Sequence, residues 1–214
     1  MKFSTILSIV FCLFVFESFA QQNPKAIQVL DKAREVYQKS NSVFADFEIA
    51  IYQKNKIVSN EKGTIKMKGN KFRVSTDDAE LWFDGKNQWI LPNGTEEVSL
   101  SAPSEAEQDA VNPASLFQIY HKGFNSKYVS AKLVNGKMVD IIDLIPSRPK
   151  QDITKITVNV DQKSSVLTLI FIQNKNGNHQ KINITNYKSG MNYTDNQFVF
   201  NPKQFPKVEV VDLR

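Results

Sequence analysis

Met67-Lys-Gly-Asn-Lys-Phe72-Arg73-Val-Ser-Thr76 and Ala79-Glu-Leu-Trp82-Phe-Asp-Gly-Lys-Asn-Gln-Trp89-Ile-Leu91 decide the fold of this chain. Aromatic and branched residues alternate with polar ones in both stretches, which read as strand, break, strand, tight turn, strand. With a loop at Asp84-Gly-Lys-Asn87, Phe83 faces Gln88, Trp82 faces Trp89 and Leu81 faces Ile90. A two-residue Asp84-Gly85 turn would instead set Trp82 against Asn87. Register follows the pairing that gathers apolar groups on one face, so the expected register stacks the two tryptophans.

The same period of two extends in both directions. Val43, Ala45, Phe47, Ile49 and Ile51 share a face, with Asp46, Glu48 and Tyr52 on the other. Lys54-Asn-Lys56 turns the chain into Ile57 to Lys68, and Gly69-Asn70 turns it again. After Trp89, Pro92-Asn-Gly94 reverses into Glu97 to Leu100, which completes a six-strand meander. Ahead of it, Asn23-Pro24 supplies a cap and a first-turn proline for Ala26, Ile27, Val29, Leu30, Ala33, Val36 and Tyr37 at helical spacing. One amphipathic helix to about Ser40, packed against a sheet, is expected.

Ser101 to Gly123 breaks the strand rhythm. Ser104-Glu-Ala-Glu-Gln and Asn112-Pro113, the latter before Leu116, Phe117, Ile119 and Tyr120, predict one or two short helices lying over the sheet. A connection this long inside a meander is usually functional. Strands then resume, Tyr128 to Val134 with Met138 to Ile145 through Asn135-Gly136, the strongest hairpin signal in the chain. Ile153 to Val160, Val166 to Gln173 and Gln180 to Tyr187 follow, and Phe198-Val-Phe200 and Val208 to Leu213 finish the chain. Val166 to Ile172 is apolar at nearly every position and is expected to be covered on both faces. About eleven strands with two helical interruptions give a mainly β, α+β domain, too many strands to stay flat.

Residues 1–20 read as a secretory signal peptide cleaved after Ala20, since Lys2 precedes the apolar run Ile6 to Phe16 and Ser18-Phe-Ala20 is small enough for cleavage. The only cysteine, Cys12, falls inside it, so neither disulfide nor lipid anchor is expected. Residues 21–214 form one domain on this reading, large enough to rely on its core alone. The net charge of +5 comes from lysines scattered over turns and strand edges (Lys54, Lys56, Lys86, Lys137, Lys163, Lys175), which argues against a nucleic-acid surface. His121 and His179 have no cysteine or carboxylate at ligand spacing, and no phosphate loop or nucleophile motif is present. Neither cofactor nor metal nor catalytic residue is expected.

Three motifs carry a family likeness: Gly63-Thr-Ile-Lys-Met-Lys-Gly-Asn-Lys-Phe72-Arg73-Val, Phe83-Asp-Gly-Lys-Asn-Gln-Trp89, and Phe198-Val-Phe-Asn-Pro with Val208-Glu-Val-Val-Asp-Leu213. In order and spacing they resemble the LolA family of periplasmic lipoprotein carriers. The likeness implies a half-open antiparallel β-barrel with an N-terminal helix and a helical lid at about residues 101–123. It also implies a cavity for lipoprotein acyl chains on their way from the inner to the outer membrane. Val74 stands where the family often has an aromatic, and Asn-Pro-Lys-Gln-Phe-Pro206 replaces a Pro-Pro-Gly-like turn.

Candidates for lining that cavity are Phe47, Ile49, Ile51, Ile65, Met67, Trp82, Trp89 and Leu91, with Leu116, Phe117 and Tyr120 from the lid. Arg73 matches a family arginine that holds the lid; alternation puts it on a face with Ser75, so it points into a cavity only if that face is the inner one, and without the resemblance it reads as an ordinary outward-facing strand residue. Implied partners are acylated lipoproteins, an inner-membrane lipoprotein-releasing ABC transporter and a LolB-like outer-membrane receptor, with the carrier a monomer in the periplasm. Two other readings stand beside this one: a cavity-type binder or sensor of another envelope lipid, and an envelope hydrolase supported only by dispersed carboxylates.

Overall fold

The computed structural model describes residues 23–104, 120, 123–148 and 152–214. Asn23 accepts the Ala26 amide on its side chain and Pro24 occupies the first turn, so helix α1 starts where the sequence places it and runs Pro24–Lys39. The strands are β1 (Ser42–Gln53), β2 (Lys56–Lys68), β3 (Lys71–Thr76), β4 (Ala79–Phe83), β5 (Gln88–Pro92) and β6 (Glu97–Ser101). After the connection come β7 (Phe124–Val134), β8 (Lys137–Pro146), β9 (Ile153–Asp161), β10 (Leu167–Asn174), β11 (His179–Ser189) and β12 (Glu209–Asp212). They form one open sheet in the order β12-β6-β5-β4-β3-β2-β1-β11-β10-β9-β8-β7.

The local turn chemistry sets the registers. Trp82 pairs with Trp89, Phe83 with Gln88 and Leu81 with Ile90, as the four-residue loop requires. In that loop Asp84 accepts the backbone amides of Lys86 and Asn87 on one carboxylate oxygen. Asn135 and Gly136 both take positive φ, the two-residue hairpin geometry expected between β7 and β8.

The chain joins β6 to β7, which stand near opposite ends of the sheet. Residues 105–119 of that connection, with Leu116 and Phe117 of the expected lid, lie outside the described residues, as does the expected signal segment 1–20.

Helix α1 lies across one face of the sheet. The Asn23 amide donates to the Ser126 carbonyl on β7, and the Tyr37 hydroxyl donates to the Gly69 carbonyl in the β2–β3 turn. Seven strands lie between those anchors inclusively. Laid flat they would span about 29 Å at ~4.8 Å per strand, before any diagonal is counted. The helix covers only about 21 Å between the same two residues at ~1.5 Å per residue. The Tyr37 side chain and the two hydrogen bonds supply the remaining reach, so α1 lies across these seven strands on one face of the sheet, the inner face.

Each face has its own core. On the inner face Ala26, Leu30 and Ala33 of α1 pack on Ile142, Leu144, Ile156, Val158 and Val160, and Val43, Ala45, Ile65, Met67, Phe72 and Phe83 form a second cluster that Tyr37 joins. On the outer face Trp82, Trp89, Leu91, Val98 and Leu100 are covered by Phe200, Phe205 and Val208 from the C-terminal segment. Two expectations change here. Phe198-Val-Phe200 is not a strand: Asp195–Phe198 is a single 3-10 turn and Phe200 folds onto the tryptophans. Strand β10 is not covered on both faces, since Leu167 is buried but Thr168 to Asn174 are half-buried. Among the described residues the strands number twelve, because β12 returns to pair with β6, in parallel.

Asp195 ties the C-terminal segment to the β2–β3 hairpin, accepting from Lys71 at 2.7 Å and Lys68 at 2.9 Å. Lys71 first and Lys68 second hold its carboxyl at about 2, below the usual carboxylate value. A depressed folded-state pKa contributes stability above the unfolded value, and that contribution is lost as pH falls through the range from about 4 to 2. The urea-midpoint difference between the natural protein and Asp195→Asn should therefore be present at pH 6 and vanish by pH 2. It should be small and salt-sensitive, because the Asp195 side chain is 59% exposed.

Candidate functional site

Cross-strand pairing arranges the inner face into apolar rows. One row runs Ala45, Ile65, Val74, Leu81, Ile90 from β1 to β5. Another runs Ile49, Ile182, Ile170, Val158, Ile142 from β1 through β11, β10 and β9 to β8. Phe47, opposite Ile184 on one side and Gly63 on the other, bridges the two rows. Val158 and Ile142 are fully buried under α1, whereas Ile49, Ile182, Ile170, Val74, Leu81 and Ile90 are half-buried. The helix crosses the inner face, so it covers one part of these rows completely and leaves the rest half-buried.

Polar groups sit where α1 meets this wall. The Tyr120 hydroxyl donates to Asp31 Oδ1 at 2.8 Å, and Arg34 meets the same oxygen at 3.3 Å. Burial first, and the bond to Asp31 second, raise the Tyr120 hydroxyl pKa. At the other end of the helix burial pushes Tyr37 up to about 12, and the Ser40 and Tyr187 hydroxyls lie 3.3 Å apart. These phenols stay neutral at physiological pH, so none adds charge to the apolar wall. Among the described residues no group of three His, Cys, Asp or Glu side chains could hold a metal ion.

The candidate residues divide between the faces. Phe47, Ile49, Ile51, Ile65 and Met67 lie together on the inner face, and buried Tyr120 packs with the α1 cluster. Trp82, Trp89 and Leu91 lie on the outer face, beneath the C-terminal segment and away from α1. Arg73 is opposite Trp82 and so on that outer face too. It donates from Nε to Glu80 at 3.0 Å, its guanidinium stands 5.1 Å from the Trp82 ring, and no contact with the inner face follows from that position. His179 is stacked on Tyr52 at 4.4 Å.

Sequence reasoning missed Ile170, Ile182, Ile184, Val74, Leu81 and Ile90 as members of the inner wall. The signal was available in Lys181-Ile-Asn-Ile-Thr185, whose alternation puts Ile182 and Ile184 on one face. The missing link was that β11 pairs with β1, over 100 residues earlier.

Residues 16–175 match the family described as outer membrane lipoprotein carrier protein LolA. The chain belongs to the LolA family. Among solved structures, this LolA-family chain is similar to an uncharacterized conserved protein from Thermus thermophilus, with a TM-score of 0.62 and 12% identity over 88% of this chain and 99% of that one. It is also similar to the Mycobacterium tuberculosis lipoprotein LppX, with a TM-score of 0.51 and 10% identity over 81% and 100%. A LolA superfamily protein from Nitrosomonas europaea matches with a TM-score of 0.46 and 12% identity over 82% and 97%. No curated protein matches the sequence. At these identities the likeness is one of fold: a mostly β protein with one described helix on an open twelve-stranded sheet.

Proposed function

We propose that this protein is an envelope carrier that holds the acyl chains of lipoproteins against the inner face of its sheet, beside α1. The observation that carries this reading is the half-buried aliphatic row Ile49, Ile182, Ile170, continuous in register with the fully buried Val158 and Ile142. A folded domain has little reason to align isoleucines beyond its own helix unless something apolar rests on them. Burial is worth ~0.8 kcal/mol per CH₂, so a sixteen-carbon chain left in water costs on the order of 12 kcal/mol. A carrier must match most of that with aliphatic surface, and branched side chains on a sheet face supply it without a specific hydrogen-bond pattern.

On this reading the protein works in the periplasm after removal of residues 1–20. It receives cargo from an inner-membrane ATP-driven exporter and delivers it at the outer membrane, to a receptor where one exists. Binding rather than catalysis accounts for the site, and the family membership points the same way.

The test is titration with a fluorescent triacylated lipopeptide. Ile49→Asp and Ile182→Asp each place a carboxylate in the wall and should weaken binding by 100-fold or more, since desolvating an unpaired charge costs several kcal/mol. Both positions are half-buried, so the variants should keep the natural far-ultraviolet circular dichroism. Unchanged affinity in both would sink the reading. Displacement of the lipopeptide by free fatty acid or glycolipid at equal concentration would favour a binder of another envelope lipid.

A further inference from the structure

The β2 arm of the β1–β2 hairpin runs on past its neighbour β3, while β1 stays paired with β11 as far as Tyr52. Strand β3 ends opposite Gly63, at Thr76, while β2 begins at Lys56. Residues 56–62 therefore run on past the β3–β4 turn for about 23 Å at ~3.3 Å per residue, paired on one side only, with β1. Lys54 and Asn55 make the tip, with φ of 48° and 63°. The left-handed region is unfavourable for a lysine, whose Cβ crowds the following carbonyl oxygen there. The chain has the unstrained alternative at Asn135-Gly136 and does not use it here.

This tip exposes both apolar and basic groups. Ile57 is 58% and Val58 54% exposed, and Lys54 and Lys56 beside them are exposed as well. Among the described residues neither lysine enters an ion pair, and the acidic groups further down the hairpin are engaged, Glu61 by Ser59 and Glu48 by Asn60. Beside the tip, Tyr52, which pairs with Ile57, stacks on His179 at 4.4 Å, and the Phe171 ring lies tilted against His179 at 5.1 Å. The two exposed aliphatic side chains offer far less than the ~800 Å² per partner of a stable protein interface. They do suit shallow entry into a bilayer surface, where lysines are drawn to anionic headgroups and aromatic rings settle at headgroup depth.

We propose that the β1–β2 hairpin docks this protein on anionic lipid bilayers, with Ile57 and Val58 entering the headgroup region and Lys54 and Lys56 contacting lipid phosphates. The inference goes beyond the cargo reading and does not depend on it. If that reading also holds, docking brings Ile49 and Ile51, on the same hairpin, to the membrane surface.

Co-sedimentation with protein-free vesicles of phosphatidylglycerol and phosphatidylcholine tests it. The natural protein should bind phosphatidylglycerol vesicles, more weakly as salt is raised, and bind pure phosphatidylcholine at least tenfold less. Ile57→Ser with Val58→Ser, and separately Lys54→Gln with Lys56→Gln, should each reduce binding about tenfold while lipopeptide uptake in vesicle-free solution stays unchanged. Failure of the natural protein to bind phosphatidylglycerol vesicles, or binding by both double variants as tight as the natural protein's, overturns the proposal. So does parallel loss of lipopeptide uptake in the variants, which would make the hairpin part of the cargo wall. If the natural protein takes up no lipopeptide but its vesicle binding follows the variants as stated, docking stands and the carrier reading falls.

Discussion

Gly63→Ala should destabilise the protein by about 3 kcal/mol, read as a fall in the urea midpoint at unchanged slope. Gly63 lies in β2 between Phe47 of β1 and Thr76 of β3. A Cβ there would stand 2.5 Å from Phe47 Cζ and 2.6 Å from the Ser75 carbonyl oxygen. The ring could swing away, but the carbonyl belongs to the sheet ladder and moves only with the strand. The cost is steric and not conformational, because Gly63 does not have a positive φ. In a Phe47→Leu background the ring clash disappears and the carbonyl clash remains, so the same substitution should cost less there but still more than about 1 kcal/mol. A cost below about 0.5 kcal/mol in the natural background would show that β2 and β3 can separate freely at this point. Gly63 also serves the wall, since its missing side chain lets the Phe47 ring lie flat where the two apolar rows meet.

The sequence made pairings readable and faces unreadable, for one physical reason. Register within a hairpin is set by a few consecutive residues, so Asp84-Gly-Lys-Asn87 sufficed to oppose Trp82 and Trp89. Alternation then sorts residues into two faces, but which face turns towards α1 depends on contacts made by distant segments. Trp82, Trp89 and Leu91 read as cavity lining. They are covered from outside by Phe200 and Phe205, more than a hundred residues later. The modest Ile65 and Val74 on the alternate positions belong to the inner row instead. Arg73 followed the same logic, its place fixed by the pairing with Trp82 and by Glu80. The parallel return of β12 to β6 left no periodic trace, because a four-residue strand with every side chain exposed has no apolar face to show.

Trp82→Ala should cost about 3–5 kcal/mol and free the C-terminal segment from the sheet. Trp82 is only 2% exposed and meets Phe200 edge-on at 5.4 Å and Phe205 edge-on at 5.7 Å, while those two rings stack on each other at 5.3 Å. The backbone pairing of β12 with β6 is the other attachment, bounded by Glu209 N to Glu96 O and Leu213 N to Leu100 O at 2.8 Å each. Those bonds are largely solvent-exposed and each adds about 1 kcal/mol at most. The aromatic trio must therefore supply most of what holds residues 199–214 in place. In the variant, limited proteolysis followed by mass measurement should show cleavage within this segment before any cut in the rest of the sheet. Val211→Ala, on exposed β12, should leave both stability and the cleavage order as they are. If Trp82→Ala instead loses less than about 1 kcal/mol and the segment stays intact, strand pairing alone holds it, and the outer cluster is a passive filling. Lipopeptide affinity separates the two faces in the same experiment: a tryptophan on the outer face can be removed without touching the inner wall, so binding by the folded fraction should not change.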